Sequence, residues 1–210
     1  VSENRREIAW VGELYPEAPD YMGVYERHGL VGPGANFGHA IHLTPREIGL
    51  FRDSGAAISH CPTSNTFIGS GLFDLMGLRA GARPVTVGLA TDVGGGSSFS
   101  MLATMKAAYE IAQLRGESLD PIRAFYLATV GSATVMRMQR RLGNLVAGNA
   151  ADIVVIDMAS SPLLAERMRR ASNVRDALFA RIILADDRAV RATYVAGRKV
   201  YDRDSAVLTA

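Results

Sequence analysis

The stretch Gly88–Ser97, GLATDVGGGS, sets a single carboxylate, Asp92, after an apolar run and follows it with three consecutive glycines. An acid at the mouth of a buried strand can hold a divalent cation through a carboxylate oxygen, or hydrogen-bond a water that such a cation activates. It can equally cap the loop or the next helix, and local spacing admits both roles. The glycines allow a sharp turn and leave room beside the acid. They do not form a phosphate loop, because neither G-x-x-x-x-G-K-[ST] nor G-x-G-x-x-G running directly into a helix is present.

Two histidines end apolar runs in the same way, His39 and His60. His39 reads either as an imidazole aimed at a bound water or substrate atom, or as a hydrogen-bonded core histidine. His42 lies three residues further on. Along a strand that spacing sends the two rings to opposite sides, so HAIH is not a paired ligand motif. His42 is then a loop or supporting residue, His60 chiefly structural, and His28 part of an exposed loop. Cys61 reads as a small buried hydrophobe, since nothing nearby marks an activated thiol. Glu3, among the first residues, has the local character of a solvated end.

The elements that must position these groups follow from periodicity and punctuation. Asn36–His39, Ala56–His60 and Val85–Ala90 are candidate strands. Thr44-Pro45-Arg46-Glu47 has the form of a helix start, with Thr44 as N-cap, Pro45 in the first turn and Glu47 completing a capping box. That helix should run to about Asp53 and stop at Gly55. Another helix is expected around Gly71–Ala80. A third, capped by Ser97 or Ser98, should run from about Phe99 to Leu114, with Leu102, Met105, Tyr109 and Ala112 at helical spacing. Asp120-Pro121 opens a fourth, to about Val130. Strand and helix in alternation predict parallel βα units, whose strand C-termini carry the active-site face in barrels. After about Arg141 the texture changes. Asp152–Asp157 reads as a strand, Ser161–Arg181 as helical, and Ala192–Val195 with Lys199–Tyr201 as a hairpin around Ala196-Gly197. The domain reading is residues 1–141 for the βα part and 142–210 for a smaller β-rich part with a helix packing on it.

Of the 210 residues 48% are hydrophobic and 21% charged, with a net charge of +2, which suits a globular chain with one sizeable core. The basic residues are dispersed, which speaks against a nucleic-acid or anionic-membrane partner. No apolar run approaches the ~18 residues of a membrane span. One cysteine excludes an internal disulfide framework and is compatible with a reducing, cytoplasmic setting. The opening Val1-Ser2-Glu3-Asn4 has neither an initiator Met nor a signal pattern, and it is expected to enter a domain of a longer protein midway.

Taken together, VSENRREI at 1–8, GHAIHLT at 38–44, HCPTSNTFIGSGLF at 60–73, GLATDVGGGSSFSML at 88–102 and LADDRAVRATYVAGR at 184–198 resemble the amidohydrolase superfamily. HCPTSN and the strand-ending Thr91-Asp92 are shared widely among its deaminases and chlorohydrolases. GSGLF with TDVGGGSSFSML is narrower and is similar to the guanine deaminases, in their C-terminal half. The resemblance implies an α/β fold, a partial (β/α)8 TIM-type barrel (strands six to eight with their helices) plus part of a small β-sandwich. It implies one zinc, or iron, held by histidines outside this chain and by Asp92. Glu3 matches the family's proton shuttle, and His39 the sixth-strand histidine that contacts the reacting water and substrate. Glu3, His39 and Asp92 are thus the implied catalytic and substrate-binding residues, with Asp92 the metal ligand. The implied reaction is hydrolysis of guanine to xanthine and ammonia, in a cytoplasmic homodimer. With one metal ligand of four, the segment alone is expected to be inactive. The alternatives are a related purine or triazine aminohydrolase or chlorohydrolase, and a metal-free scaffold derived from the barrel.

Overall fold

The protein is described by a computed structural model, over residues 1–205. Its helices are α1 (Arg5–Leu14), α2 (Tyr21–Arg27), α3 (Pro45–Ser54), α4 (Pro62–Phe67), α5 (Leu75–Arg79), α6 (Met101–Leu114), α7 (Pro121–Tyr126), α8 (Ser132–Val135), α9 (Pro162–Arg169) and α10 (Val174–Leu184). Its strands are β1 (Asn36–Gly38), β2 (Ala57–His60), β3 (Thr86–Leu89), β4 (Ile153–Ile156), β5 (Val190–Val195) and β6 (Arg198–Asp202). The fold is α/β. A parallel sheet β1-β2-β3 carries the first part, and an antiparallel sheet β4-β5-β6 the second.

Local chemistry accounts for most boundaries. Thr44 accepts from Glu47 N while Glu47 Oε2 accepts from Thr44 N at 2.7 Å, the reciprocal pair that the spacing predicts. Gly55 ends α3 in the left-handed conformation at φ 73°. The hairpin turns at Ala196 and Gly197, both at positive φ. Three expectations shift. The cap of α6 is Ser100, because Ser98 Oγ instead accepts from Ser100 N. The helix over Ser161–Arg181 is two, broken where Asn173 turns to cap α10 by accepting from Asp176 N. The helix after Asp120 passes through a π-turn, Leu127–Gly131, before α8.

Phe37, Ile58 and Val87 stand opposite one another across β1, β2 and β3, and all three are buried. Phe51 of α3 packs edge-on against Phe37 at 5.7 Å, and Tyr25 of α2 against the same ring at 5.3 Å. Beyond β3, Ser132 Oγ donates to Leu89 O at 2.8 Å. Gly88 admits this approach, since a Cβ there would lie 2.7 Å from Ser132 Cα. At the other side of the sheet, Val1 N donates to Gly38 O and Ala40 N to Val1 O. These bonds hold the first residues alongside the end of β1.

Candidate active site

A parallel sheet brings the C-terminal ends of its strands to one edge, where loops can gather functional groups. Here that edge collects Glu3 from the segment beside β1, His39 after β1, Cys61 after β2 and Asp92 after β3. His39 Nδ1 lies 3.5 Å from Glu3 Oε1, and His39 Nε2 lies 3.8 Å from Asp92 Oδ2. Glu3 and His39 are largely enclosed, whereas the Asp92 side chain keeps 37% exposure. The three groups picked out from the sequence therefore meet around one imidazole.

The backbone is bent to bring them there. His39 and Asp92 both adopt left-handed φ, 69° and 49°, as does Ser2 just before Glu3. Non-glycine residues pay for that conformation with strain, commonly of order ~1–3 kcal/mol, and such strain concentrates at functional sites. The glycines after Asp92 answer three separate constraints. Gly94 sits at φ 115°; a Cβ on Gly96 would fall 2.1 Å from Thr91 O; one on Gly95 would fall 3.1 Å from Asp92 Oδ2 and 3.2 Å from Ser64 Oγ. The carboxylate has its place because no side chain at 95 competes for it.

Ordinary strand alternation separates His60 from Cys61. His60 turns inward, fully buried and stacked on Phe73 at 4.3 Å, with Nδ1 unpartnered among the described residues. Burial alone pushes its pKa down to about 3, so the ring is neutral and structural. Cys61 instead faces the cluster, its sulfur grouped with donors of His39 and Asp92 that all lie within 4.8 Å of one another. Burial pushes the Cys61 thiol up to about 11, and Sγ donates to Ser59 O at 3.3 Å. Held there, the thiol lacks the lowered pKa of an activated nucleophile. His42 Nε2 pairs with Ser70 O at 2.8 Å, a supporting contact, and His28 is exposed at the end of α2.

Three residues that sequence reasoning passed over complete the surroundings. Ser70 Oγ donates to Glu3 Oε1 at 3.1 Å. Asn65 Oδ1 lies 2.8 Å from His39 Nδ1. Ser64 flanks Gly95, and its Oγ is buried without a partner among the described residues. Ser64 and Asn65 lie on α4, a helix that the sequence reading did not include. Its sequence, PTSNTF, is poor in helix formers, but Pro62 at the first position was a legible start signal. Burial of Pro62, Thr63, Ser64 and Asn65 then overrides propensity.

The donor types fit a divalent cation. A half-exposed carboxylate and an imidazole face one another across 3.8 Å, beyond hydrogen-bond reach and therefore not tied to each other. Among the described residues, the donor atoms of His39, Cys61 and Asp92 lie within 4.8 Å of one another, with Asp92 supplying the carboxylate of the group.

Several known proteins are similar to this chain along nearly its whole length. A guanine deaminase of Escherichia coli (strain K12) is 42% identical over 204 residues, 97% of this chain and 46% of its own length. The solved structure of E. coli guanine deaminase superposes with a TM-score of 0.93 at 41% identity, over 97% of this chain and 47% of that one. The guanine deaminase of C. acetobutylicum, solved with guanine in its active site, gives a TM-score of 0.79 at 28% identity, over 96% and 47%. The chain thus spans about half the length of the curated relatives it matches. The amidohydrolase family matches residues 1–200, nearly the whole sequence, and this chain belongs to the amidohydrolase family.

Proposed function

We propose that this chain carries part of the active site of a hydrolase that converts guanine and water to xanthine and ammonia. The observation that carries the reading is the meeting of Glu3, His39 and Asp92 at the strand C-termini, in a chain whose relatives are guanine deaminases. In this reading β1, β2 and β3 are strands six to eight of a (β/α)8 barrel, and residues 1–141 are its C-terminal half. Residues 142–210 are segments of a small β-rich domain, part of a β-sandwich, with a helix packing on the barrel, and the working protein is a homodimer.

Asp92 would help hold a zinc or iron ion. When bound, such an ion lowers the pKa of its water toward ~7. Glu3, with Ser70 donating to one oxygen, is oriented to take a proton from the attacking water and deliver it to the ring nitrogen, then to the departing ammonia. His39 hydrogen-bonds either the attacking water or the oxyanion that develops on the ring carbon. The remaining metal donors, and with them turnover, are expected to require a polypeptide of the relatives' full length.

The test is guanine turnover with ammonia release by the full-length protein, with metal content measured alongside. D92N is expected to remove most activity; near-normal turnover would refute the metal role. Preference for another aminated or chlorinated ring would move the assignment to a related hydrolase. Absence of stoichiometric metal would favour a scaffold.

A further inference from the structure

We infer that Ser2 is a positioning residue for Glu3: its hydroxyl, bonded to the buried Glu47 carboxylate, holds the left-handed turn from which the Glu3 side chain reaches His39 and Ser70. The inference rests on the reading that Glu3 moves protons in the reaction.

Glu47 is more than the last member of the α3 capping box. Its Oε2 accepts from Thr44 N at 2.7 Å, as the box requires, but its Oε1 accepts from Met22 N in α2 at 3.1 Å and from Ser2 Oγ at 3.3 Å. The residue is 1% exposed. A carboxylate that deep in protein keeps its place through the hydrogen bonds that replace its water, and bonds to a charged acceptor are the stronger ones. Glu47 is therefore a fixed point on which α2, α3 and Ser2 converge.

Ser2 is equally buried and lies at φ 46°. Its carbonyl accepts from Ile41 N at 3.1 Å and from His42 N at 3.0 Å, just after the left-handed turn at His39 and Ala40. The main chain thus ties Ser2 to the segment that carries His39, and the hydroxyl ties it to Glu47. Packing alone would favour alanine in such a place, and the backbone alone would favour glycine, which adopts positive φ without strain. Serine adds one thing to both, the donor that Glu47 takes. With Ser2 held on two sides, the next carboxylate falls 3.5 Å from His39 Nδ1 and accepts from Ser70 Oγ at 3.1 Å. Removing the hydroxyl frees the turn to relax toward negative φ, and the carboxylate one residue on swings with it.

The tests use the full-length, metal-loaded protein. In a crystal structure of S2A, the Glu3 carboxylate is expected to leave Ser70 Oγ while α2 and α3 keep their places. Glu3 unmoved overturns the proposal, whatever ring the enzyme turns over. With guanine, kcat is expected to fall about tenfold or more in both S2A and S2G with KM within about threefold, the pattern of a misplaced group rather than of lost binding. Wild-type kcat in S2G would mean that backbone strain and not the hydroxyl matters, and overturns the proposal; S2G also decides if S2A does not fold. Adding S2A to E3Q is expected to change kcat less than about twofold, because Ser2 acts through Glu3. A further loss as large as in the wild-type background overturns it, since the hydroxyl would then serve the fold at large. If E3Q alone turns guanine over normally, the proton role of Glu3 fails, and the S2A structure still decides whether Ser2 places that side chain.

Discussion

His60 should make stability depend on pH in a way that one substitution can isolate. Its ring is enclosed on Phe73, and burial lowers its pKa to about 3 from the ordinary 6.5. The unfolded chain therefore binds a proton between these values that the folded chain refuses, so stability falls as pH drops below 6.5 and the loss continues to about 3. Each pH unit inside that window corresponds to ~1.4 kcal/mol, so passing from pH 7 to pH 5 should remove about 2 kcal/mol through this residue alone. The assay is urea unfolding of wild type and H60L across that range. Other groups titrate as well, so the difference between the two slopes is the quantity to read. H60L is expected to be the flatter by about 2 kcal/mol over the two units. Parallel slopes, or an imidazole proton spectrum showing His60 charged at pH 5 in the folded state, would refute the reasoning.

Three further outcomes follow from close contacts. G88A forces a Cβ to 2.7 Å from Ser132 Cα and should cost about 1–3 kcal/mol, read as a lower Tm. E47A removes the buried carboxylate that accepts from Thr44 N, Met22 N and Ser2 Oγ; a loss of about 2–4 kcal/mol in denaturant is expected, with E47Q less affected. G95A presses on Asp92 Oδ2 from 3.1 Å and should lower kcat of the full-length protein about tenfold or more while moving Tm little.

Much of the chain could be read from local rules because local chemistry sets it. The Thr44–Glu47 box, the Gly55 stop, the apolar cores of β1, β2 and β3 and the hairpin at Ala196-Gly197 depend on neighbours a few residues away. Asp92 and His39 were visible as polar residues ending apolar runs. Their roles rested on resemblance, since a strand-ending acid has several uses. Glu3 looked like a free end by its own surroundings.

What the sequence determined by itself is the order of elements, their caps, and the polar groups at strand ends. What only the tertiary structure decided is which of those groups share a space. Parallel pairing in register carries Glu3, His39, Cys61 and Asp92 to one edge, while alternation turns His60 the other way. Burial makes a helix of PTSNTF and sets Asn65 against His39 from 26 residues away. The physical reason is range. Caps and turns are satisfied by hydrogen bonds within a turn of chain, but pairing and desolvation depend on distant segments that no local pattern names.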